Sequence, residues 1–528
     1  MTIPAAVKMA KQPTQEPIKK ATMETPMEAA THSNKSSTGW RVMKLYLHSG
    51  LGLTALMLLV GLVIRAAQAN WVPALSPGNF YALLTLHGAG MLVGLLLCGM
   101  GGLWFLMRRH IHLSAPLAVL AWGFIMLGVV GVLVATVFGH FAGLYTFLYP
   151  MPFDGNWPSW ATGVFLISMV LVNIGWMIWC FQMLGAVLRA YSGLRGALGW
   201  DFVWHPKAFL AAGRQPPPPE AFPALVAGLD GLVAGMVAML LGMALLVRWL
   251  DPRVLIDPLW AKNLTYFFAH TLANLIIYML AALIYVGLPY ATKRTYHTST
   301  VLVIGWWSSL VFILTNYFHH LYMDFVQPGI LQYLGELSSY LTAVPVTAVT
   351  IFSALMLVWR SRTRWTLGAI FFYSGLVGWV VGGIGAEIDA SVPFNVHLHN
   401  TLWVPAHFHT YLLGGCLLFV LGWVFLLLES RSRRNTPDLV RWLIGTLVFG
   451  GMIVFLMGFY FGGALGVPRR YATETMPGPL LAQIATVGAV IMLVGFILVF
   501  VEGLRLRRNY QADRPLWPEE LINQPHEE

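Results

Sequence analysis

The chain has 528 residues, 57% hydrophobic and only 10% charged, with a formal net charge of +10. Soluble domains carry roughly 25% charged residues, so this composition excludes a water-soluble globule and predicts an integral membrane protein partnered by the lipid bilayer. No basic run is interleaved with aromatics, which excludes nucleic acid as a partner, and three scattered cysteines (Cys98, Cys180, Cys416) without CxxC spacing exclude a disulfide framework or thiolate site.

Residues 1–40 mix lysines with Thr, Pro and Glu and read as a disordered polar tail. Apolar runs of about 20 residues then follow in series, each long enough to cross a bilayer. They predict spans at 44–66, 79–107, 114–138, 159–190, 223–249, 263–288, 298–320, 331–358, 367–388, 405–428, 439–463 and 478–503, with a second tail at 506–528. The predicted fold is therefore an all-α bundle of twelve transmembrane helices forming one domain over 41–505, with both termini on one side. Lys and Arg crowd every second loop, from Arg108-Arg109 to Arg505–Arg508, which makes the side of the tails cytoplasmic. Exceptions are the loop with Arg248, Arg253 and Lys262, and the pair Arg469-Arg470.

The topology gives each histidine a depth. His87 lies roughly 12 Å and His270 about 10 Å below the outer boundary at 1.5 Å per residue. His319 and His320 end the outward-running seventh span, and His407 and His409 open the inward-running tenth. Six histidines from four spans thus converge in the outer third of the membrane, where polar groups are expensive and usually functional. Neutral imidazole without Cys or carboxylate at that depth suits haem iron or copper better than calcium or magnesium. His407 and His409 lie about 200° apart around their helix and can serve centres on opposite faces. His397 and His399 fall in the outer loop above the cluster. A haem-free transporter relaying protons through histidines requires acidic residues at the midplane, and none is expected there.

A His in span two, a His in span six, His-His ending span seven and His-x-His opening span ten, with Pro468-Arg469-Arg470-Tyr471 outside, resemble subunit I of the haem–copper oxidase superfamily. The resemblance implies a low-spin haem held by His87 and His409, a high-spin haem held by His407, and a copper ion, CuB, held by His270, His319 and His320. Arg469 and Arg470 would pair with haem propionates. It also implies a cell-membrane location in a bacterium or archaeon and a second subunit carrying the electron-entry site, either a CuA cupredoxin domain or a cytochrome c. The donor would be cytochrome c or a cupredoxin.

Oxygen-reducing members place a tyrosine four residues after the span-six histidine or, in one branch, on span seven. These positions are Asn274 and Ile313, and Tyr278 lies two turns past His270. Reducing two NO to N2O needs only two electrons and no tyrosyl radical, so Asn274 as a catalytic-site residue points to nitric oxide reduction. The alternative is a cytochrome c or quinol oxidase reducing O2 to water with proton translocation. Thr347, Thr350 and Ser353 at spacings of three, with Tyr285, form a candidate hydroxyl pathway resembling the single channel of B-type oxidases. Glu336, Glu387 and Asp389 are either an outer-side proton route or exposed interfacial carboxylates.

Overall fold

The computed structural model describes residues 26–73, 75–143 and 147–511; residues 1–25 and 512–528 of the two predicted tails lie outside the described residues. Regular structure among them is helical. The main helices are α1 (Pro26–Gln68), α2 (Pro77–Met107), α3 (Ala115–Phe138), α4 (Ser159–Ala190), α5 (Ala221–Leu250), α6 (Pro258–Thr292), α7 (Thr300–Phe312), α8 (Ile330–Val358), α9 (Leu367–Ala390), α10 (Trp403–Arg431), α11 (Asp438–Ala464) and α12 (Gly478–Arg508). α1 begins at Pro26, so its first turns fall within the polar stretch 1–40.

Eleven of these helices are long and apolar enough to cross a membrane, and α7 is the exception. Its 13 residues reach only about 20 Å, short of a hydrocarbon core of about 30 Å. The predicted span 298–320 is corrected accordingly: the α-helix stops at Phe312, and Asn316–Leu321 forms a 3₁₀ segment that carries His319 and His320.

Local chemistry sets where the helices start. Ser76, Asp257 and Ser299 each accept a backbone N–H from the first turn of α2, α6 and α7, and Pro77 and Pro258 supply the fixed φ of the first helical position. The N-terminus of α9 is capped from another helix as well: the Glu429 carboxylate of α10 accepts from the Leu367 and Gly368 N–H groups at 2.9 and 3.1 Å. Between helices in lipid, close packing of small residues replaces the hydrophobic drive. A Cβ on Gly378 of α9 would stand 2.2 Å from the Gly414 carbonyl oxygen of α10, and one on Gly488 of α12 would stand 2.2 Å from the Phe455 nitrogen of α11. Those crossings hold α9 against α10 and α11 against α12. Just past His409, α10 widens into a π-helical turn, Thr410–Leu417, of the kind that often accompanies functional sites.

Candidate metal centres

At the histidine-bearing end, α1, α2, α10, α11 and α12 enclose a cavity of about 330 Å³, with His87 and His409 on its wall. His87 Nδ1 donates to the Met57 carbonyl at 2.8 Å and His409 Nδ1 to the Pro405 carbonyl at 2.6 Å, which fixes both rings and leaves each Nε2 as the free nitrogen. The ring centroids are 6.1 Å apart with planes 19° from parallel. Two imidazoles on opposite sides of one metal, at about 2 Å each with half a ring beyond, come to about 6 Å. The pair therefore fits axial ligation of a single haem iron. Phe455 and Phe459 stand at 5.5 and 5.3 Å from the His409 ring.

The cavity rim is cationic. The loop 467–470 is stitched to the turn before α10: Leu402 N–H donates to the Val467 carbonyl, Arg469 N–H to the Asn400 carbonyl, and Arg469 Nη2 to Asn400 Oδ1. This brings Arg469 and Arg470 onto the cavity lining, as an anionic edge such as a propionate requires. Arg65 of α1, which the sequence did not single out, also lines it. Its guanidinium bonds Gln68 Oε1 and Glu474 Oε1 at 2.9 and 3.3 Å, while Nε and Nη2 are buried with no hydrogen-bond partner among the described residues. Such an orphaned donor edge at a cavity wall fits a bound group carrying acceptors. Glu474, in the loop before α12, is raised above its ordinary range by burial, partly offset by Arg65. Gly61 is a second residue the sequence did not reveal: a Cβ there would meet His87 Cε1 at 2.6 Å.

A second cluster forms beside the first. His270, His319 and His320 offer nitrogens that all lie within 4.8 Å of one another. His270 Nδ1 donates to Asn316 Oδ1, and His319 Nδ1 donates to Ser339 Oγ, both at 2.9 Å, again leaving Nε2 for a metal. Three imidazoles without carboxylate or thiolate suit copper. Asn316 and Ser339, which orient the ligands, had no signal in the sequence beyond their polarity inside apolar segments. His407 faces the same region; its Nδ1 is buried and has no partner among the described residues.

Asn274 lies against this cluster, its Nδ2 donating to the His270 carbonyl at 3.1 Å and standing 3.3 Å from His270 Nδ1. Tyr278 turns away and donates to the Thr342 carbonyl of α8 at 2.9 Å. Of the hydroxyl stripe, Thr350 meets Tyr285 Oη at 2.8 Å and Ser353 lies beside Tyr296, whereas Thr347 takes no part in that contact. Trp306 Nε1 also donates to Tyr285 Oη, at 3.2 Å.

On the outer acids, Asp389 is buried with Oδ1 unpartnered and Glu387 has a buried Oε2, so neither is an exposed surface carboxylate; Glu336 accepts from Tyr340. His397 sits exposed at the rim. Burial, together with Arg469, Lys262 and Arg470, pushes His399 down to about 4, so it is neutral at physiological pH. The expectation of no acidic residue at the midplane is corrected by Asp230, fully buried within α5 and about 14 Å from its start. Averaged hydropathy conceals one carboxylate among so many apolar neighbours.

A bis-imidazole haem pocket beside a tris-imidazole copper site in one helical bundle defines a membrane-embedded haem–copper oxidoreductase. Residues 41–498 match the family described as Cytochrome C and Quinol oxidase polypeptide I, and the chain belongs to that family, subunit I of the haem–copper oxidases, which binds haems and CuB. It is 25% identical over 510 residues to cytochrome c oxidase subunit 1 of Thermus thermophilus, covering 85% of this chain and 81% of the relative. It is 23% identical over 446 residues to the Bacillus subtilis subunit, covering 81% and 68%. Among solved structures, a haem–copper terminal oxidase dimer superposes with a TM-score of 0.70 at 19% identity, covering 91% of this chain and 86% of that one, a likeness of fold.

Proposed function

We propose that this chain is the catalytic subunit of a respiratory enzyme that reduces nitric oxide to nitrous oxide. The observation that carries the reading is the pairing of Asn274 with His270 while the Tyr278 phenol is engaged with Thr342. His87 and His409 would hold the low-spin haem, His407 the high-spin haem, and His270, His319 and His320 CuB. When bound, these groups supply the electron-transfer and gas-binding chemistry.

The residues of the chain orient and insulate them. The Met57, Pro405, Asn316 and Ser339 contacts fix the imidazole tautomers. Arg469 and Arg470, which line the cavity, would neutralise propionates. His407 and His409, two residues apart on one helix, would each hold one haem. Two NO, two electrons and two protons give N2O and water, so protons must reach the site. Tyr285, Thr350 and Ser353 are the proposed pathway from the arginine-rich side, assigned as cytoplasmic in a bundle of twelve crossings with both termini there. Thr347, expected as part of that pathway, has no role in the contacts that support it. Glu336, Glu387 and Asp389 would serve an outer-side route. A second subunit bearing a cupredoxin CuA or a cytochrome c would pass in electrons from cytochrome c or a cupredoxin, in a bacterial or archaeal cell membrane.

Oxygen reduction is the second reading, favoured by one contact: the Tyr266 ring stacks on His320 with centroids 4.8 Å apart and planes 17° from parallel, which sets a phenol against a copper ligand. The test is anaerobic NO consumption with N2O detection, set beside O2 uptake, on the purified enzyme. Rapid N2O formation is expected. Vigorous O2 uptake with negligible N2O, abolished by Tyr266→Phe, overturns the first reading in favour of the second.

A further inference from the structure

Between the start of α3 and the end of α4, at the arginine-rich end of the bundle, lies another cavity, of about 370 Å³, which shares no residue with the haem pocket. That size is within the range of ligand pockets, which begins at about 300 Å³. Three helices fix its wall. Trp104 Nε1 of α2 donates to Gln182 Oε1 of α4 at 2.7 Å, and Gln182 Nε2 donates to the Ser114 carbonyl, just before α3, at 2.9 Å. Leu117 and Phe181, on the same lining, are 44% and 61% exposed, so the cavity opens sideways towards lipid. His112 and Arg189 supply its basic groups, and no carboxylate lines it.

Arg189 stands in the last turn of α4, eight residues or about 12 Å past Phe181 and about 16 Å past Ile178, which also lines the cavity. A long cationic side chain near the end of a span ordinarily extends outward to water. Arg189 instead folds back along its helix, with Nη1 only 3.4 Å from where a Cβ on Gly185 would stand. Other arginines at this end are matched by carboxylates: Arg109 by Glu220 at 3.0 Å, and Arg195 and Arg214 by Asp201 at 2.7 and 3.4 Å. Arg189 and the exposed His112 have neither a hydrogen bond nor an ion pair among the described residues. We propose that this cavity binds an anionic phosphodiester lipid of the adjacent leaflet, its phosphate held by the Arg189 guanidinium and a His112 ring N–H and its acyl chain laid along Leu117, Phe181 and Ile178. The guanidinium fork matches two phosphate oxygens, and a basic pocket between transmembrane helices is suited to an anionic head group. The apolar wall below the cations selects a lipid over a soluble anion, which would leave that wall unused. The inference holds whichever gas the metal centres reduce.

The test uses the purified enzyme with its partner subunit, stripped of loosely held lipid by detergent and titrated with phosphatidylglycerol or with phosphatidylcholine of the same chains, bound lipid being counted by native mass spectrometry. The parent should hold phosphatidylglycerol about fivefold more tightly, the preference that one arginine near a membrane surface supplies. Arg189→Gln should erase that preference, Arg189→Lys should keep most of it, and Gly185→Val, which fills the space the guanidinium folds over, should weaken it with the charge retained. Full haem content shows that each variant has folded. Equal retention of the two lipids by the parent, or a preference unchanged in both Arg189→Gln and Gly185→Val, overturns the proposal. Displacement of the lipid by inorganic phosphate overturns it in favour of a soluble anion, and a further membrane subunit seated on this face of the intact complex overturns it in favour of a protein.

Discussion

Gly61→Ala tests the low-spin haem pocket from the least conspicuous of its residues. Gly61 follows Met57 by one helical turn on α1, so both face the His87 ring, Gly61 by leaving room and Met57 by accepting from Nδ1 at 2.8 Å. The new methyl would lie 2.6 Å from His87 Cε1 and 3.0 Å from Nδ1. Restoring an ordinary carbon contact of about 3.5 Å requires the ring to retreat from α1 by roughly 1 Å. That retreat stretches the Nδ1–Met57 bond beyond about 3.5 Å, where it no longer counts as a hydrogen bond. Overpacking in a filled site costs about 1–3 kcal/mol, and loss of a ligand's orienting partner weakens metal binding by about 10–100-fold. Pyridine haemochrome analysis should fall from two haems per chain towards one, with the low-spin optical and magnetic resonance signals lost and the high-spin signals kept. A variant with a full low-spin signal and two haems would refute the geometry assigned to His87.

Ser339→Ala removes the acceptor for His319 Nδ1, and copper retained after dialysis against a chelator should drop with an affinity loss of about 10–100-fold while haem content holds. Arg65 and Glu474 are an ion pair with side chains only 3% and 1% exposed, so Arg65→Met should lower thermal stability by about 3–5 kcal/mol, and adding Glu474→Gln should recover part of it. If the double variant is no more stable than the single one, the pair is not coupled.

At the arginine-rich end, burial pushes the Glu220 carboxyl up, but the His110 hydrogen bond and the Arg109 and His110 charges outweigh it and leave the group below its ordinary range. A depressed carboxylate favours the folded state above its unfolded value of about 4.3, and that contribution fades as the pH falls through its folded value. Acid unfolding followed by tryptophan fluorescence should therefore be less steep below about pH 4.3 in Glu220→Gln than in the parent. Identical acid limbs would show that Glu220 is not held in its charged form.

The residues that were legible in the sequence are those whose signal is local. A run of apolar side chains declares its own length, and eleven of the twelve predicted spans are helices long and apolar enough to cross a membrane; a histidine at a known number of residues from a span boundary has a predicted depth. The His87 and His409 rings face each other with centroids 6.1 Å apart, and His270 joins His319 and His320 in one cluster. α7 misled because the apolar run continues after the helix has ended: Ile313 and Leu314 extend it, but the backbone leaves the α-helix at Phe312 and tightens into a 3₁₀ segment at Asn316–Leu321.

Other residues act only through partners far away in the chain. Arg65, within the predicted span 44–66, is paired with Glu474, 409 positions on. Gly61, Asn316 and Ser339 acquire meaning from the imidazoles packed against them, and helical spacing alone did not say that Thr350 would be the hydroxyl to meet Tyr285. By itself the sequence determined that this is a helical membrane protein with six histidines gathered near one side, because span length, periodicity and depth follow from bonded geometry. The tertiary structure alone decided which nitrogens are free for metal, that Asn274 rather than Tyr278 meets the copper cluster, and that Asp230 is sealed in without a partner. Those outcomes depend on contacts between helices, whose rotations and offsets no single helix encodes.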